Sequence, residues 1–379
     1  MDFQLTEEQK LIQQTAREFA RNEVAKDAAE RDQKEEFPAH HVRTMAELGF
    51  MGMTVAPEYG GSGLDSISYV IVIEELSKAD ASVGVICSVN NSLVCFGIEN
   101  YGSDATKQKY LVPLAKGEKL GAFCLSEPGS GSDASSMTTT AVLKDGNYLL
   151  NGTKNWITNG KNADTYVITA HTDPTGGHRG ISVFVVEKSF PGFFIGNKEK
   201  KLGIRSSDTV TINLDDCVVP RENRLGKEGE GFKIAMQTLD GGRIGIAAQA
   251  LGIAQASLEA AVEYAKERVQ FGKPIASFQA IQFKLADMET RINAARLLTY
   301  QAAWRKDQGV NFTTEAAKAK VFASETAVYA STEAVQIFGA NGYLKDYPVE
   351  KYMRDSKITE IYEGTSEIQR IVIGRSLVK

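Results

Sequence analysis

The spacing of apolar positions changes twice along this chain. Leu11, Ile12, Thr15, Ala16, Phe19 and Ala20 recur at intervals of three and four, the period of one helix face. Thr6 followed by Gln9 has the capping-box pattern that starts such a helix. Pro38 opens a second helical stretch reaching Leu48, a Pro/Gly-rich loop covers 57–63, and the helical period resumes over 67–76. Asp104 is expected to cap another short helix, ending near Gly117.

From about residue 120 the period shortens. Strand candidates lie at 121–125, 138–143, 148–151, 164–170, 181–186 and 209–214, separated by clusters of Gly, Pro, Asn and Asp. Lys144-Asp145-Gly146-Asn147 carries an Asp-Gly hairpin signal, because both central residues of such a turn need positive φ. This pattern predicts an antiparallel sheet folded into a small sandwich or barrel. After Gly226-Lys227-Glu228-Gly229-Glu230-Gly231 the helical period returns, with long amphipathic segments over 232–269, 278–308 and 314–338. The predicted fold class is α+β: an N-terminal helical domain (1–120), a middle antiparallel β domain (121–225) and a C-terminal antiparallel helical bundle (226–379).

Length and composition narrow the function classes. A chain of 379 residues can hold two or three domains. Its net charge of −5, with basic residues dispersed among acidic ones, argues against a nucleic-acid surface. No apolar run approaches the ~18–20 residues of a membrane span, and the acidic, amphipathic N-terminus is unlike a signal or transit peptide, so a cytoplasmic protein beginning at Met1 is expected. Cys87, Cys95, Cys124 and Cys217 are isolated, which suggests buried free thiols and neither a metal site nor a disulfide framework. His40, His41, His171 and His178 accompany no nucleophile motif.

The most informative stretch is Ile361-Tyr362-Glu363-Gly364-Thr365-Ser366-Glu367-Ile368-Gln369-Arg370. Here a lone carboxylate stands between an aromatic residue and a glycine, where one helical run breaks before a new N-cap at Thr365 or Ser366. Apolar surroundings raise a carboxyl pKa from ~4.3 toward the ~6–7 of a general base. Gly364 leaves its N–H and the space above it open to a ligand. The alternative is a solvated glutamate at a helix–loop–helix joint.

Rossmann and P-loop signatures are absent, and Gly-x-Ser-x-Gly is absent too. The sheet region offers Leu125-Ser126-Glu127-Pro128-Gly129-Ser130-Gly131-Ser132-Asp133, a strand entering a glycine-rich turn that could embrace a flat heterocycle or be a surface loop. In Trp156-Ile157-Thr158, strand alternation puts Trp156 and Thr158 on one face, suited to a stacked ring or to a sheet–helix core. Asp240-Gly241-Gly242-Arg243 interrupts a helical segment with two glycines, each costing ~1 kcal/mol against Ala. Close approach of a ligand or of another helix would explain them.

With Arg268-Val269-Gln270-Phe271-Gly272 and Gln336-Ile337-Phe338-Gly339, these motifs resemble the acyl-CoA dehydrogenase family in the same order from about Leu5 to the C-terminus, most nearly its short-chain, butyryl-CoA members. The resemblance implies FAD, a homotetramer built as a dimer of dimers, and a place in fatty acid β-oxidation. Glu363 would remove the pro-R α-proton while a hydride passes from Cβ to flavin N5, and its backbone N–H would bond the thioester carbonyl. Phe123, Leu125, Ser126, Gly131, Ser132, Trp156, Ile157 and Thr158 would line the flavin. Arg268, Phe271, Gln279, Gln336, Ile337, Gly339 and Ala340 would hold the adenosine diphosphate half across a subunit interface, with Thr365 and Glu367 as further FAD contacts.

On the substrate side the resemblance implies Ser132, Asp240 and Arg243 at the CoA moiety and Gly364 beside the thioester. Gln249 and Thr359 match positions that make the acyl pocket shallow in short-chain members. Read from its surroundings alone, Gln249 could equally be an interface amide bonded to neighbouring backbone. The family usually has two glycines where this chain has Gly339-Ala340, so the added methyl is expected to hold the cofactor slightly farther from the backbone. Electron-transferring flavoprotein is the implied electron acceptor. Rival readings are an acyl-CoA oxidase and a catalytically silent acyl-CoA-binding scaffold.

Overall fold

The computed structural model describes residues 4–378; Met1, Asp2 and Phe3 of the acidic N-terminus and Lys379 lie outside the described residues. The first helix, Glu7–Phe19, starts on the predicted capping box: Thr6 Oγ1 accepts from Gln9 N (3.2 Å) and Gln9 Oε1 accepts from Thr6 N (3.1 Å). A π-helical turn over Ala20–Val24 carries the chain into Ala25–Lys34, a helix too polar for its period to be legible. Helices Ala39–Glu47 and Ser66–Ala79 follow where expected. At the short helix Asp104–Thr106 the cap is Ser103, not Asp104: Ser103 Oγ accepts from Thr106 N at 3.2 Å.

The middle of the chain forms β1 (Gly121–Cys124), β2 (Thr140–Lys144), β3 (Asn147–Thr158), β4 (Thr165–His171), β5 (Ile181–Glu187), β6 (Phe193–Lys198), β7 (Thr209–Pro220) and β8 (Arg224–Leu225). They make one eight-stranded sheet in the order β6-β7-β3-β2-β4-β5-β8, with β1 beside β4. Most pairs are antiparallel as predicted, but β1 runs parallel to β4, and β2 meets β4 through a single parallel bridge. Asp145 (φ 50°) and Gly146 (φ 82°) close the β2–β3 hairpin. β6, largely exposed, lacked the alternation that would have revealed it. Tyr148, Leu150, Tyr166, Ile168, Phe184 and Ile212 form the sheet's own core.

Helices Gly231–Glu267, Gln279–Asp307 and Thr313–Phe338 run within two residues of their predicted bounds. The first passes uninterrupted through Asp240-Gly241-Gly242-Arg243 and packs on both Thr313–Phe338 and Ser66–Ala79. N-terminal and C-terminal helices therefore share one hydrophobic core. The expectation that no apolar run reaches membrane-spanning length needs correction. Ala81–Tyr101 and Gly231–Glu267 are long and apolar enough, but most of each is buried inside the protein, as core helices are.

A buried ionic cluster ties the three parts together. Asp80 accepts from Arg31 Nη2 (2.8 Å), Lys351 Nζ (3.0 Å) and Ser82 N (3.0 Å), and Lys351 Nζ also donates to Asp355 Oδ2 (2.6 Å). Asp355 Oδ1 in turn accepts from Ile204 N (2.5 Å), in the segment before β7. Burial opposes ionisation of Asp80, but Lys351 and Arg31 outweigh it and hold the carboxyl down at about 2. Asp355 closes the helix Val349–Ser356 that leads toward Glu363, so this cluster anchors the approach to the site.

Candidate active site

Past Val349–Ser356 the chain makes a 3-10 turn, Lys357–Glu360, then an irregular corner, and restarts as the helix Ser366–Leu377. Thr365 caps that helix, its Oγ1 accepting from Ile368 N (3.3 Å). Glu363 (φ 51°) and Gly364 (φ 92°) are both left-handed, a costly conformation for a glutamate. Lys320 Nζ (2.7 Å) and Gln369 Nε2 (2.8 Å) both donate to the Gly364 carbonyl, and Gln369 Nε2 also donates to the Glu363 carbonyl (3.2 Å). The corner is thus fixed from two helices. Among the described residues no protein acceptor takes the Glu363 N–H.

The Glu363 carboxylate lies over Gly242. A Cβ built on Gly242 would overlap Glu363 Oε2 and stand 2.7 Å from Leu93 Cδ2, so the glycine that weakens the helix makes room for the carboxylate. Glu363 Oε2 is buried without a hydrogen-bond partner. Burial pushes its carboxyl up to about 7, while Lys320 and Arg243 pull it down. Asp240 Oδ1 accepts from Arg243 Nη1 (2.5 Å) and Asp240 Oδ2 from Thr313 Oγ1 (2.6 Å). Together these place a carboxyl that titrates near neutrality beside a fixed cation.

One turn along the Gly231–Glu267 helix, Tyr69 OH and Ser88 Oγ share a hydrogen bond (2.8 Å) against Gly245, where any side chain would overlap them. Beyond it lies Gln249, whose amide is bonded at both ends: Nε2 donates to Ala81 O (2.8 Å) and Oε1 accepts from Tyr362 OH. Thr359 is buried and its Oγ1 donates to Ser356 O (2.6 Å). Gln249 is therefore joined to the residue preceding Glu363, whereas the Thr359 hydroxyl serves its own backbone.

A second constellation forms at the sheet. Asn155 N donates to Ser126 O (2.9 Å), bringing the Leu125–Ser132 turn beside Trp156-Ile157-Thr158. Underneath, Lys154 Nζ donates to Glu127 Oε1 (2.8 Å) and Leu125 O (3.1 Å), and Glu127 also accepts from Thr138 N (2.6 Å) and Thr139 N (3.0 Å). The β3–β7 register shifts between Lys154 and Ile157, and Trp156 has φ 57°, so simple alternation does not place Trp156 and Thr158 on one face. The bulge turns the indole outward, 55% exposed, while Ile157 is buried. Gly131 and Ser132 are exposed, Phe123, Ser126 and Thr158 half-buried, Leu125 buried, and nothing lies within 4 Å of a Cβ at Gly129 or Gly131. An exposed indole beside an open glycine turn, on a rigid buried ion pair, suits a flat cofactor ring.

Comparison with known proteins decides the lineage. Residues 6–118, 122–217 and 229–378 match the N-terminal, middle and C-terminal domains of acyl-CoA dehydrogenase. The chain belongs to the acyl-CoA dehydrogenase family. It is 53% identical to a short-chain specific acyl-CoA dehydrogenase of Clostridium acetobutylicum, with all of both chains covered. The butyryl-CoA dehydrogenase structure from Megasphaera elsdenii superimposes with a TM-score of 0.99 at 50% identity over all of both chains. A solved chain from work on the electron transferring flavoprotein of Acidaminococcus fermentans and flavin-based electron bifurcation matches with a TM-score of 0.99 at 54% identity, again over all of both chains.

The remaining positions that the family resemblance singles out lie on the helical side. Stacking of Tyr264 on Phe338 (4.0 Å between centroids) and donation from Asn341 Nδ2 to Tyr264 OH (2.9 Å) join the last turn of the Gly231–Glu267 helix, which leads into the Arg268–Gln279 segment, to the end of the Thr313–Phe338 helix. Arg268, Gln279, Gln336, Gly339 and Ala340 are exposed there, Phe271 is 93% exposed, and Ile337 is buried. No hydrogen bond or ring contact among the described residues links this surface to the Leu125–Ser132 turn. Thr365 is half-buried at its cap and Glu367 exposed. Sequence reasoning missed Lys320 and Gln369. The available signal for Lys320 was its place on the Ala316, Ala319, Ala323, Ala327 stripe, where a cation interrupts a buried apolar face.

Proposed function

We propose that this protein catalyses FAD-dependent α,β-dehydrogenation of short-chain acyl-CoA, butyryl-CoA to crotonyl-CoA, with Glu363 as the base. The observation that carries the proposal is a carboxylate held near pH 7, with an unpartnered buried oxygen, beside its own unpartnered backbone N–H. A thioester α-proton is too weakly acidic for a carboxylate unless the carbonyl is polarised. The Glu363 N–H would do this, contributing ~3–4 kcal/mol as charge builds on the oxygen. In this reading the N–H and the carboxylate of one residue would act on one ligand, and acyl-chain binding would further expel water from the base. FAD, when bound, supplies the two-electron acceptor that takes the Cβ hydride at N5.

Phe123, Leu125, Ser126, Gly131, Ser132, Trp156, Ile157 and Thr158 would hold the flavin end. Arg268, Phe271, Gln279, Gln336, Ile337, Gly339 and Ala340 would hold the adenosine diphosphate of a cofactor reaching from a second subunit, and Thr365 and Glu367 would add contacts. Ser132, Asp240, Arg243 and Gly364 would contact acyl-CoA. The separation of the two cofactor surfaces on one chain supports a dimer of dimers. An electron-transferring flavoprotein is the proposed electron acceptor, and the cytoplasm the proposed location.

Anaerobic addition of butyryl-CoA to purified yellow protein tests this directly. Rapid bleaching of the flavin is expected, with slow reoxidation in air, and Glu363→Gln should retain FAD and bind acyl-CoA while losing flavin reduction by several orders of magnitude. No bleaching would overturn the dehydrogenase reading. Near-normal reduction in Glu363→Gln would overturn the base, and fast reoxidation in air would favour an oxidase.

A further inference from the structure

Lys320 is the buried cation that this reaction scheme leaves without a task. It lies on the apolar stripe of Thr313–Phe338 and is fully buried, yet donates to no carboxylate: its hydrogen bond goes to the Gly364 carbonyl (2.7 Å). Burying an ammonium there is costly, and a purely structural demand would be met by a neutral donor. Gln369 already supplies one to the same oxygen (2.8 Å), which leaves the charge of Lys320 to be explained.

Resting on the base assignment above, we propose that Lys320 is a positioning residue for Glu363: it pins the carbonyl of the left-handed Glu363-Gly364 corner, and its charge supplies, with Arg243, the positive potential in which the carboxylate works. Two donors on the Gly364 oxygen fill both its lone pairs and fix the peptide that follows the base. The positive charge offsets the burial that drives the Glu363 carboxyl upward. Burial in turn pushes Lys320 down to about 8, with Glu363 the largest influence opposing that fall.

Most other charged groups around this pair have partners of their own. On the Gly231–Glu267 helix Arg243 is held by Asp240 (2.5 Å), and Lys306, from Gln279–Asp307, stands behind Gly241. In the Lys357–Glu360 turn Glu360 pairs with Lys357 (2.5 Å), and on Ser366–Leu377 Glu367 faces solvent while Arg370 pairs with Glu325 (2.5 Å). From Val349–Ser356, Lys351 is committed to Asp80 and Asp355. The Tyr69 and Tyr362 hydroxyls, from Ser66–Ala79 and the corner itself, are pushed well above their usual range by burial and stay neutral. Lys320 is thus the cation tied directly to the corner.

Two variants of the FAD-loaded enzyme separate charge from hydrogen bond: Lys320→Gln keeps a donor without charge, and Lys320→Arg keeps both. The readouts are flavin content, thermal stability and the pH profile of kcat/KM for butyryl-CoA. In Lys320→Gln, flavin retention is expected together with an acid limb displaced upward by about one pH unit, the scale of losing one nearby opposite charge. Activity at pH 7 should fall about fivefold, as the ionised fraction of a group titrating about one unit higher does, and Lys320→Arg should return the limb to its original position. A limb unmoved in Lys320→Gln, with activity scaled equally at every pH, would overturn the electrostatic role. So would equal displacement in both variants. A limb that persists in Glu363→Gln would instead overturn the base assignment.

Discussion

The Glu363 carboxylate rests on the backbone of Gly242, in a space that a single methyl group would fill. That relationship joins two motifs far apart in the chain and explains a helix-weakening glycine. Gly242→Ala should leave the protein folded and FAD bound, since the helix gains propensity, while the displaced carboxylate loses its alignment. A fall of about 100-fold in kcat/KM is expected from a misplacement near 1 Å. Activity within twofold of wild type would show that Glu363 works from another position.

Stability should depend on pH through the same carboxylate. Its folded pKa, about 7, lies above the ordinary value of 4.5, so the folded state holds the extra proton between those limits. Stability is therefore lost as pH rises from about 4.5 through 7. Glu363→Gln removes this penalty. Its Tm should exceed that of wild type at pH 8, by the equivalent of about 3 kcal/mol, and the difference should shrink toward pH 5. Equal differences at both pH values would contradict the raised pKa.

Chain length should be set near Gln249. Its amide bridges Ala81 and Tyr362, so the side chain is locked in place where the proposed acyl site would end. With ~0.8 kcal/mol per buried methylene, each carbon that fits improves binding severalfold and each that does not clashes. kcat/KM should peak at butyryl-CoA, with hexanoyl-CoA weaker and octanoyl-CoA poor. Gln249→Gly with Thr359→Ala should move the optimum longer, most of the change arising from Gln249, because the Thr359 hydroxyl is bonded to Ser356. A wild-type optimum at eight carbons or beyond, or at isovaleryl-CoA, would remove Gln249 from this role.

Asp80→Asn should be among the more damaging substitutions remote from the chemistry. It leaves the Arg31 and Lys351 cations buried without their shared counter-ion, at a cost of about 3–5 kcal/mol. Because Asp80 is held at about 2, its contribution is present above the usual carboxyl range and is lost only as pH falls through that value. Thermal denaturation at pH 7 measures the loss. A Tm change of under a degree would show that the cluster contributes little.

The parts of this protein that depend on near neighbours were readable from its sequence. Thr6 and Gln9 cap a helix because they are three residues apart, and Asp145-Gly146 closes a hairpin because both tolerate positive φ. The long helices were fixed by their period to within two residues, and the motif around Glu363 singled out the carboxylate proposed as the base. What only the tertiary structure decided is which groups surround that base. The bulge that turns Trp156 outward depends on its pairing with β7, which alternation along β3 could not reveal. Gly242 beneath the carboxylate, Lys320 on the Gly364 carbonyl and the Asp80–Lys351–Asp355 cluster all join residues distant in the chain. Backbone preference is local and is written residue by residue, whereas the potential at a buried charge is the sum over whatever packing brings within a few ångströms, and no local pattern records that sum.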